Sequence, residues 1–416
     1  MPDTPLLTPD FDVWPTDRRP VSATLAGNDV VVTWDDGASS RFDFWWLIDN
    51  SPMPEHVNRA TREPTLDLST LPDDFHATAA SVEPGGGLRV SWSHGVSASR
   101  YHPGWLAAHT YDARACDAQA RDGGGFDADD RPQPVTWDAA AMAEPPSFDG
   151  SRILEDDAML EAWLTAVAVY GFGRLRGVST EPGTVERVAQ RIGTVRETNF
   201  GRVFDVRSKV APDSNAYTAL ELTPHVDLPT REYQPGLQIL HCLENSASGG
   251  EAVMVDGFRL AEHLAAHEPE TLRILSTERF TFQNRAKTSD YRWLSPVIVL
   301  DPATGAPVEV RIAGFLRGPL SLPADRVGPA YRALRRIFAL SRDPQFRIAY
   351  SYRPGDLVLF DNRRMLHGRA AFDPAAGSRW LQGIYLERDE LHSRLRILRR
   401  RRRLQAAEAA AGTTAG

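Results

Sequence analysis

The sequence predicts a mainly β protein with flanking helices, a β-sandwich or jelly roll preceded by a small β-rich domain. Three observations carry that expectation. Residues 20–110 read as short strands, strand signals broken by Pro and Gly turns dominate from Thr218 to Arg388, and amphipathic helices are few. Many strands with two helices leading in and one inserted fit a sheet-on-sheet architecture with helical buttresses.

The early segments "DVVVTWDDG" and "GLRVSWSHG" alternate apolar and polar residues and end in turn chemistry. Each is followed by an aromatic stretch, "FDFWWL" and "YHPGWL", which suggests pseudo-repeated hairpins. Trp45, Trp46, Trp92 and Trp105 are candidate core residues of this domain, assigned to residues 1–115. Residues 116–150 are rich in Gly, Pro, Asp and Ala with little periodicity, and read as a linker.

A larger domain is expected over residues 151–402. In "EDDAMLEAWLTAVAVYG", Leu160, Trp163, Leu164 and Val167 share one helical face, acids fill the first turn and Gly171 is the stop. "GFGRLRGV" reads as a strand, "EPGTVERVAQRIG" as a second helix, and "PADRVGPAYRALRRIFALS" as the inserted one. After the run of arginines, residues 403–416 turn to low-complexity Ala, Gly and Thr and read as a solvated, disordered tail.

The chain has 416 residues, 42% hydrophobic and 25% charged, with a net charge of −8. That balance argues against nucleic-acid binding. No apolar run approaches the roughly 20 residues that span a bilayer. The start lacks a secretory layout, so a cytoplasmic protein is the expectation. Cys116 and Cys242 are the two cysteines, which excludes a disulfide framework and a four-thiolate zinc site.

The chemistry-bearing pattern is "PHVDLP", where His225 and Asp227 are two positions apart. In a strand such residues point to one face and can grip one ion. The candidate third ligand is His367, which the apolar strand "LVLF" delivers in "GDLVLFDNRRMLHGR". Two histidines and one carboxylate form the ligand set of non-haem Fe(II) oxygenases. Twelve residues on, Arg379 can pair with a carboxylate cosubstrate in two-pronged fashion.

"PHVDLPTREYQPGLQILHCLENSASGGEAVMVDGF", "GDLVLFDNRRMLHGR" and "SRWLQGIYLERDELHSRLRIL" resemble the γ-butyrobetaine hydroxylase and trimethyllysine hydroxylase group of taurine-dioxygenase-like 2-oxoglutarate oxygenases. The resemblance implies a double-stranded β-helix and an Fe(II)- and 2-oxoglutarate-dependent dioxygenase. Such an enzyme uses O2 and releases succinate and CO2. It implies His225, Asp227 and His367 as catalytic iron ligands, Arg379 as the clamp on the far carboxylate of 2-oxoglutarate, and Leu240 in the cosubstrate pocket. Asp227 further argues for hydroxylation, because related halogenases carry a small residue there. Phe200, Phe204, Tyr217 and Tyr385 match an aromatic cage for a quaternary ammonium, held by cation–π attraction. A homodimer is implied in the same way.

The sequence also departs from this group. Relatives often hold zinc by cysteines after the stretch corresponding to "FWWLIDNSPMPEH". Here Ser51 and Met53 stand, no structural zinc is expected, and His56 reads as a surface residue. Ala252 replaces a hydroxyl that relatives offer to the cosubstrate carboxylate. Ala313 and Gly314 replace paired asparagines that help bind a butyrobetaine carboxylate, with Arg317 as a candidate substitute. The expected substrate is therefore a small aliphatic quaternary-ammonium or zwitterionic molecule. The alternatives are an amino-acid-like or phosphonate biosynthetic intermediate, or a non-oxidative metallohydrolase on the same ligands.

Overall fold

A computed structural model describes residues 8–14, 18–111, 132–207, 220–286, 289–373 and 377–414. The chain divides into two units, Met1–Asp129 with Arg399–Gly416, and Asp130–Leu398. Among the described residues no helix is long and apolar enough to cross a membrane.

The first unit contains two three-stranded antiparallel sheets. One is β1 (Pro20–Ala26), β2 (Asp29–Trp34) and β3 (Ser39–Asp43), followed by the helix Phe44–Asp49. After the hairpin β4 (Val57–Asn58) and β5 (Glu63–Pro64) comes the other, β6 (Ala77–Val82), β7 (Leu88–Trp92) and β8 (Ser99–Tyr101), followed by the helix Pro103–Ala108. Alternation buries Val30, Val32 and Trp34 on β2, and Leu88, Val90 and Trp92 on β7. The pseudo-repeat extends to hydrogen bonding. Trp34 Nε1 donates to Ser40 Oγ, and Trp92 Nε1 to Ser99 Oγ, each at 2.9 Å. Trp92 and Trp105 are buried as expected, but Trp45 and Trp46 are only half-buried, and Trp34 takes the central place.

His56 corrects the surface expectation, because only 6% of it is exposed. Its Nδ1 lies 2.8 Å from Ser51 Oγ, which is 2.7 Å from Ser99 Oγ. A buried imidazole needs such partners, and the serines supply them.

The second unit begins inside the predicted linker. Trp137 is buried, and β9 (Ser147–Asp149) runs parallel to β10 (Phe172–Arg176). An apolar indole with a carbonyl partner, here Tyr170 O at 2.9 Å, ties down a segment whose composition alone reads as loop. The expected helices are found at Asp157–Tyr170, Thr184–Ile192 and Ala324–Arg342. Two more, Gly257–His267 and Pro269–Thr277, occur where only strands were expected. Asp256 caps the first by accepting from Phe258 N at 3.0 Å, and Pro269 opens the second.

Between and after these helices lie β11 (Val195–Arg196), β12 (Phe204–Val206), β13 (Leu222–His225), β14 (Leu237–Asn245) and β15 (Ala252–Asp256). The hairpins β16 (Phe280–Arg285) with β17 (Asp290–Ser295), and β18 (Ile298–Leu300) with β19 (Pro307–Val310), come next. The last strands are β20 (Arg347–Tyr350), β21 (Leu357–Asp361), β22 (Met365–Arg369) and β23 (Arg379–Leu386). They form a seven-stranded sheet, β11-β23-β14-β21-β10-β9 with β12 also on β23, and a four-stranded sheet, β13-β22-β15-β20. Crossovers between two sheets in this order give the expected jelly roll.

Period-2 alternation sorts the strands into three layers of packing. Cys242, Val358, Phe360 and Leu381 of the larger sheet meet Ala252, Met254, Ile348 and Met365 of the smaller in the inner core. Ile239, Leu359 and Ile384 face outward onto Trp163, Leu164 and Val188 of the leading helices. Val253, Val255 and Leu366 face outward onto Leu260, Leu264 and Ile337 of the later ones. A buried ion pair links two of these parts. Arg364 Nη2 donates to Asp256 Oδ2 at 2.7 Å and Nε to Asp256 Oδ1 at 3.1 Å, with further bonds from Nη1 to Val169 O and from Nη2 to Val135 O.

The expected disordered tail is replaced by a helix over Arg388–Thr414. Leu391, Leu395 and Leu398 seat its start in the second unit's core at helical spacing. Arg403 pairs with Asp12 within the first unit.

Burial holds the His56 imidazole below its ordinary value of 6.5, against a smaller upward pull from Glu55. The unfolded chain therefore takes up a proton as pH falls through that value, before the folded chain does. Stability must decrease with falling pH from there to the depressed folded value. His56→Gln is expected to flatten this part of the pH profile of the urea midpoint. An unchanged slope would show that His56 does not titrate on unfolding.

Candidate metal centre

β13 and β22 are antiparallel neighbours in which His225 and His367 are direct partners, so their rings lie 4.3 Å apart between centroids. Asp227 does not share that strand. β13 ends at His225, and the backbone turns at once, with Leu228 at a φ of 53°. The expected same-face argument is thus corrected: a turn, not strand alternation, brings the carboxylate back. A left-handed φ at a non-glycine residue is costly and persists where surroundings fix it. Asn362 does the fixing, accepting from Asp227 N at 2.8 Å and donating to Asp227 O at 3.0 Å and Pro235 O at 3.1 Å. Val226 N adds a bond to Ile312 O at 2.9 Å.

Asp227 Oδ1 lies 3.3 Å from His225 Nε2 and 3.8 Å from His367 Nε2. One donor atom of each residue falls within 4.8 Å of the others, making this a cluster that can hold a metal ion. With bonds of about 2.1 Å, neighbouring donors on one ion sit roughly 3 Å apart, so the cluster is close to a ligating arrangement. His225 Nδ1 lies 2.9 Å from Thr223 O, which fixes the ring with Nε2 free to ligate. Tyr385 Oη donates to Asp227 Oδ2 at 2.7 Å, leaving Oδ1 toward the imidazoles.

The electrostatics agree. Burial, and then the neighbouring His225, push His367 down to about 3, so it is a neutral donor at physiological pH. Burial alone would raise Asp227, but the facing imidazoles and the Tyr385 hydroxyl outweigh it and hold the carboxyl well below the usual range. Neutral imidazoles with an ionised carboxylate are the states a divalent cation needs. The donor set therefore fits a resident Fe(II).

Arg379 opens β23 and shares the inner face with Leu381, Gly383 and Tyr385. It borders a cavity of about 210 Å³ with Arg207, Glu244, Phe372 and Trp380. Its Nε is buried without a hydrogen bond, and it forms no ion pair among the described residues. Leu240 faces the same interior, opposite Gly383.

Of the expected cage, three members converge. Phe200 is 5.9 Å from Phe204, and Phe204 stacks on Tyr385 at 5.0 Å. Gly383 makes room, since a Cβ there would collide with the Phe204 ring. Tyr217 lies outside the described residues. Arg317 turns away, donating to Gly314 O at 2.7 Å in a different cavity of about 420 Å³ that none of the three clustered residues borders. Phe315, which sequence reasoning missed, stands edge-on to His225 at 5.0 Å. Its only signal was an aromatic residue directly after Ala313 and Gly314.

Residues 129–385 match the family described as taurine catabolism dioxygenase TauD, TfdA family. Residues 22–107 match the N-terminal domain described as gamma-butyrobetaine hydroxylase-like. The chain is 44% identical to the gamma-butyrobetaine dioxygenase of Pseudomonas sp. (strain AK-1), over 94% of this chain and 99% of that one. It is 28% identical to the trimethyllysine dioxygenase of Meyerozyma guilliermondii, over 92% and 96%. With the gamma-butyrobetaine dioxygenase of Homo sapiens it shares 33% identity over 62% and 67%.

Tyr385→Phe keeps the ring and removes the bond to Asp227 Oδ2. Loss of a partner that orients a ligand typically weakens metal binding by roughly 10- to 100-fold. Anaerobic Co(II) titration should show that loss with the fold intact, and wild-type affinity would mean that the hydroxyl does not orient Asp227.

Proposed function

The chain belongs to the taurine catabolism dioxygenase TauD, TfdA family, and from that premise we propose that it hydroxylates a small aliphatic quaternary-ammonium zwitterion of the gamma-butyrobetaine type. The enzyme is a non-haem iron dioxygenase that depends on 2-oxoglutarate. In this reading His225, Asp227 and His367 hold Fe(II). Arg379 grips the far carboxylate of 2-oxoglutarate, and Leu240 packs against its carbon chain.

The observation that carries the reading is the His–Asp–His cluster with Arg379 on the adjoining inner face, its Nε buried without a hydrogen bond. When bound, iron and 2-oxoglutarate supply oxidative decarboxylation to succinate and CO2 coupled to oxygen insertion into a substrate C–H bond. The chain does the rest. Tyr385 and Asn362 hold Asp227 in place. Phe360, 4.8 Å from the His367 ring, and Phe315 flank the imidazoles with apolar surface.

Phe200, Phe204 and Tyr385 supply the aromatic faces for the substrate's cationic end. The anionic end meets a different surface from the asparagine pair expected in the group. Ala313 is 1% exposed and Gly314 offers no side chain, so neither position supplies a side-chain donor. The substrate class thus rests on recognition of the cation.

Succinate release in the presence of O2 tests this reading. γ-Butyrobetaine should stimulate release, and its carbon isostere 5,5-dimethylhexanoate, which has no positive charge at the quaternary end, should lose most of that stimulation. A desolvated cation–π contact of about 2 kcal/mol corresponds to roughly 30-fold. Equal use of both compounds, or no stimulation by any betaine, would contradict it.

A further inference from the structure

We infer that Arg369 is a second arginine for the cosubstrate, acting with Arg379 to hold the far carboxylate of 2-oxoglutarate. This rests on the reading given under Proposed function and deepens it.

The placement follows from strand alternation. On β22, Met365 and His367 face the space between the sheets and Leu366 faces outward, so Arg369 shares the face of His367. Two residues along a strand are about 6.6 Å apart, comparable to the span of a five-carbon diacid from its chelating end to its far carboxylate. Arg369 is 5% exposed.

Two contacts direct it. The Arg369 guanidinium lies over the Phe372 ring at 4.8 Å, and the Arg379 guanidinium over the same ring at 5.9 Å. One aromatic ring thus contacts both cations, and that ring and Arg379 line the 210 Å³ cavity. Two like charges in an enclosed place repel each other, and an anion between them removes that cost. The cross-strand partner of Arg369 is Ala252. Its methyl group offers the carboxylate no hydrogen bond, whereas the arginine beside it carries donors.

A structural role is the competing account. Arg369 Nη2 donates to Leu220 O at 2.7 Å, and Arg369 pairs with Leu222 in β13, the strand that ends in His225. If that were its whole function, substitution would disturb His225 and weaken metal binding as well.

Anaerobic titrations of the full-length protein separate the two. Co(II) affinity is measured first. The Fe(II)-loaded protein is then titrated with 2-oxoglutarate and with 2-oxobutyrate, which has the same chelating end and no far carboxylate, following the charge-transfer absorbance. Arg369→Gln should weaken 2-oxoglutarate roughly 10- to 100-fold, the size of one charge-assisted hydrogen bond. Co(II) and 2-oxobutyrate binding should be unchanged.

Arg369→Lys keeps the charge without the two-pronged geometry and should lose less, again for 2-oxoglutarate alone. It decides the question if Arg369→Gln does not fold. The inference is overturned if the folded variants bind 2-oxoglutarate like the wild type, or lose both keto acids or Co(II) alike. Failure of the wild-type protein itself to bind either keto acid would instead contradict the underlying functional reading, and this inference with it.

Discussion

One backbone turn governs the centre. The Asp227 carboxylate has to return toward two imidazoles from a chain that has already left its strand. The left-handed Leu228 and the three hydrogen bonds of Asn362 achieve this. Asn362 is fully buried at the start of the turn into β22, the strand that carries His367. The same loop therefore positions the second imidazole and braces the carboxylate. A change in this turn would move two ligands together, which makes the centre a unit and not three independent side chains.

The jelly roll is what makes that unit possible. β13 and β22 set the histidines side by side, and the inner faces of β14 and β23 bring Leu240, Arg379 and Tyr385 opposite them. The Asp256–Arg364 pair fixes the start of the β22 approach to the helix cap at Gly257–His267. Such a pair is weak evidence for net stability, but removing either member would leave a buried charge without compensation. Its position three residues before His367 ties packing to the centre.

Much of this was legible in the sequence, and for physical reasons. His225, Asp227 and His367 stood out because metal chemistry restricts residue type, and the flanking strands restrict where a ligand can sit. The reason offered for the first pair was wrong, since spacing does not reveal where a strand stops. The helices Gly257–His267 and Pro269–Thr277 do carry start signals, the Asp256 cap and Pro269, but these short local cues sit within a stretch that otherwise reads as strands. His56 was misread because the missing cysteines drew attention away from Ser51 and Ser99, whose hydroxyls make its burial possible. Phe315 meets His225 from a turn that is remote in sequence, so spacing alone gives no sign of that contact, whereas Arg369 lies two residues from His367 on the same strand face. Trp137 shows the same limit for domain boundaries, because one well-partnered indole outweighs a loop-like composition.

The account stands or falls on where iron binds. Anomalous X-ray scattering at the iron edge, from crystals loaded anaerobically with Fe(II), reads this directly. The expected result is a single strong peak within about 2.2 Å of His225 Nε2, Asp227 Oδ1 and His367 Nε2. A peak elsewhere, or one ligated by a single imidazole with the other turned away, would contradict it.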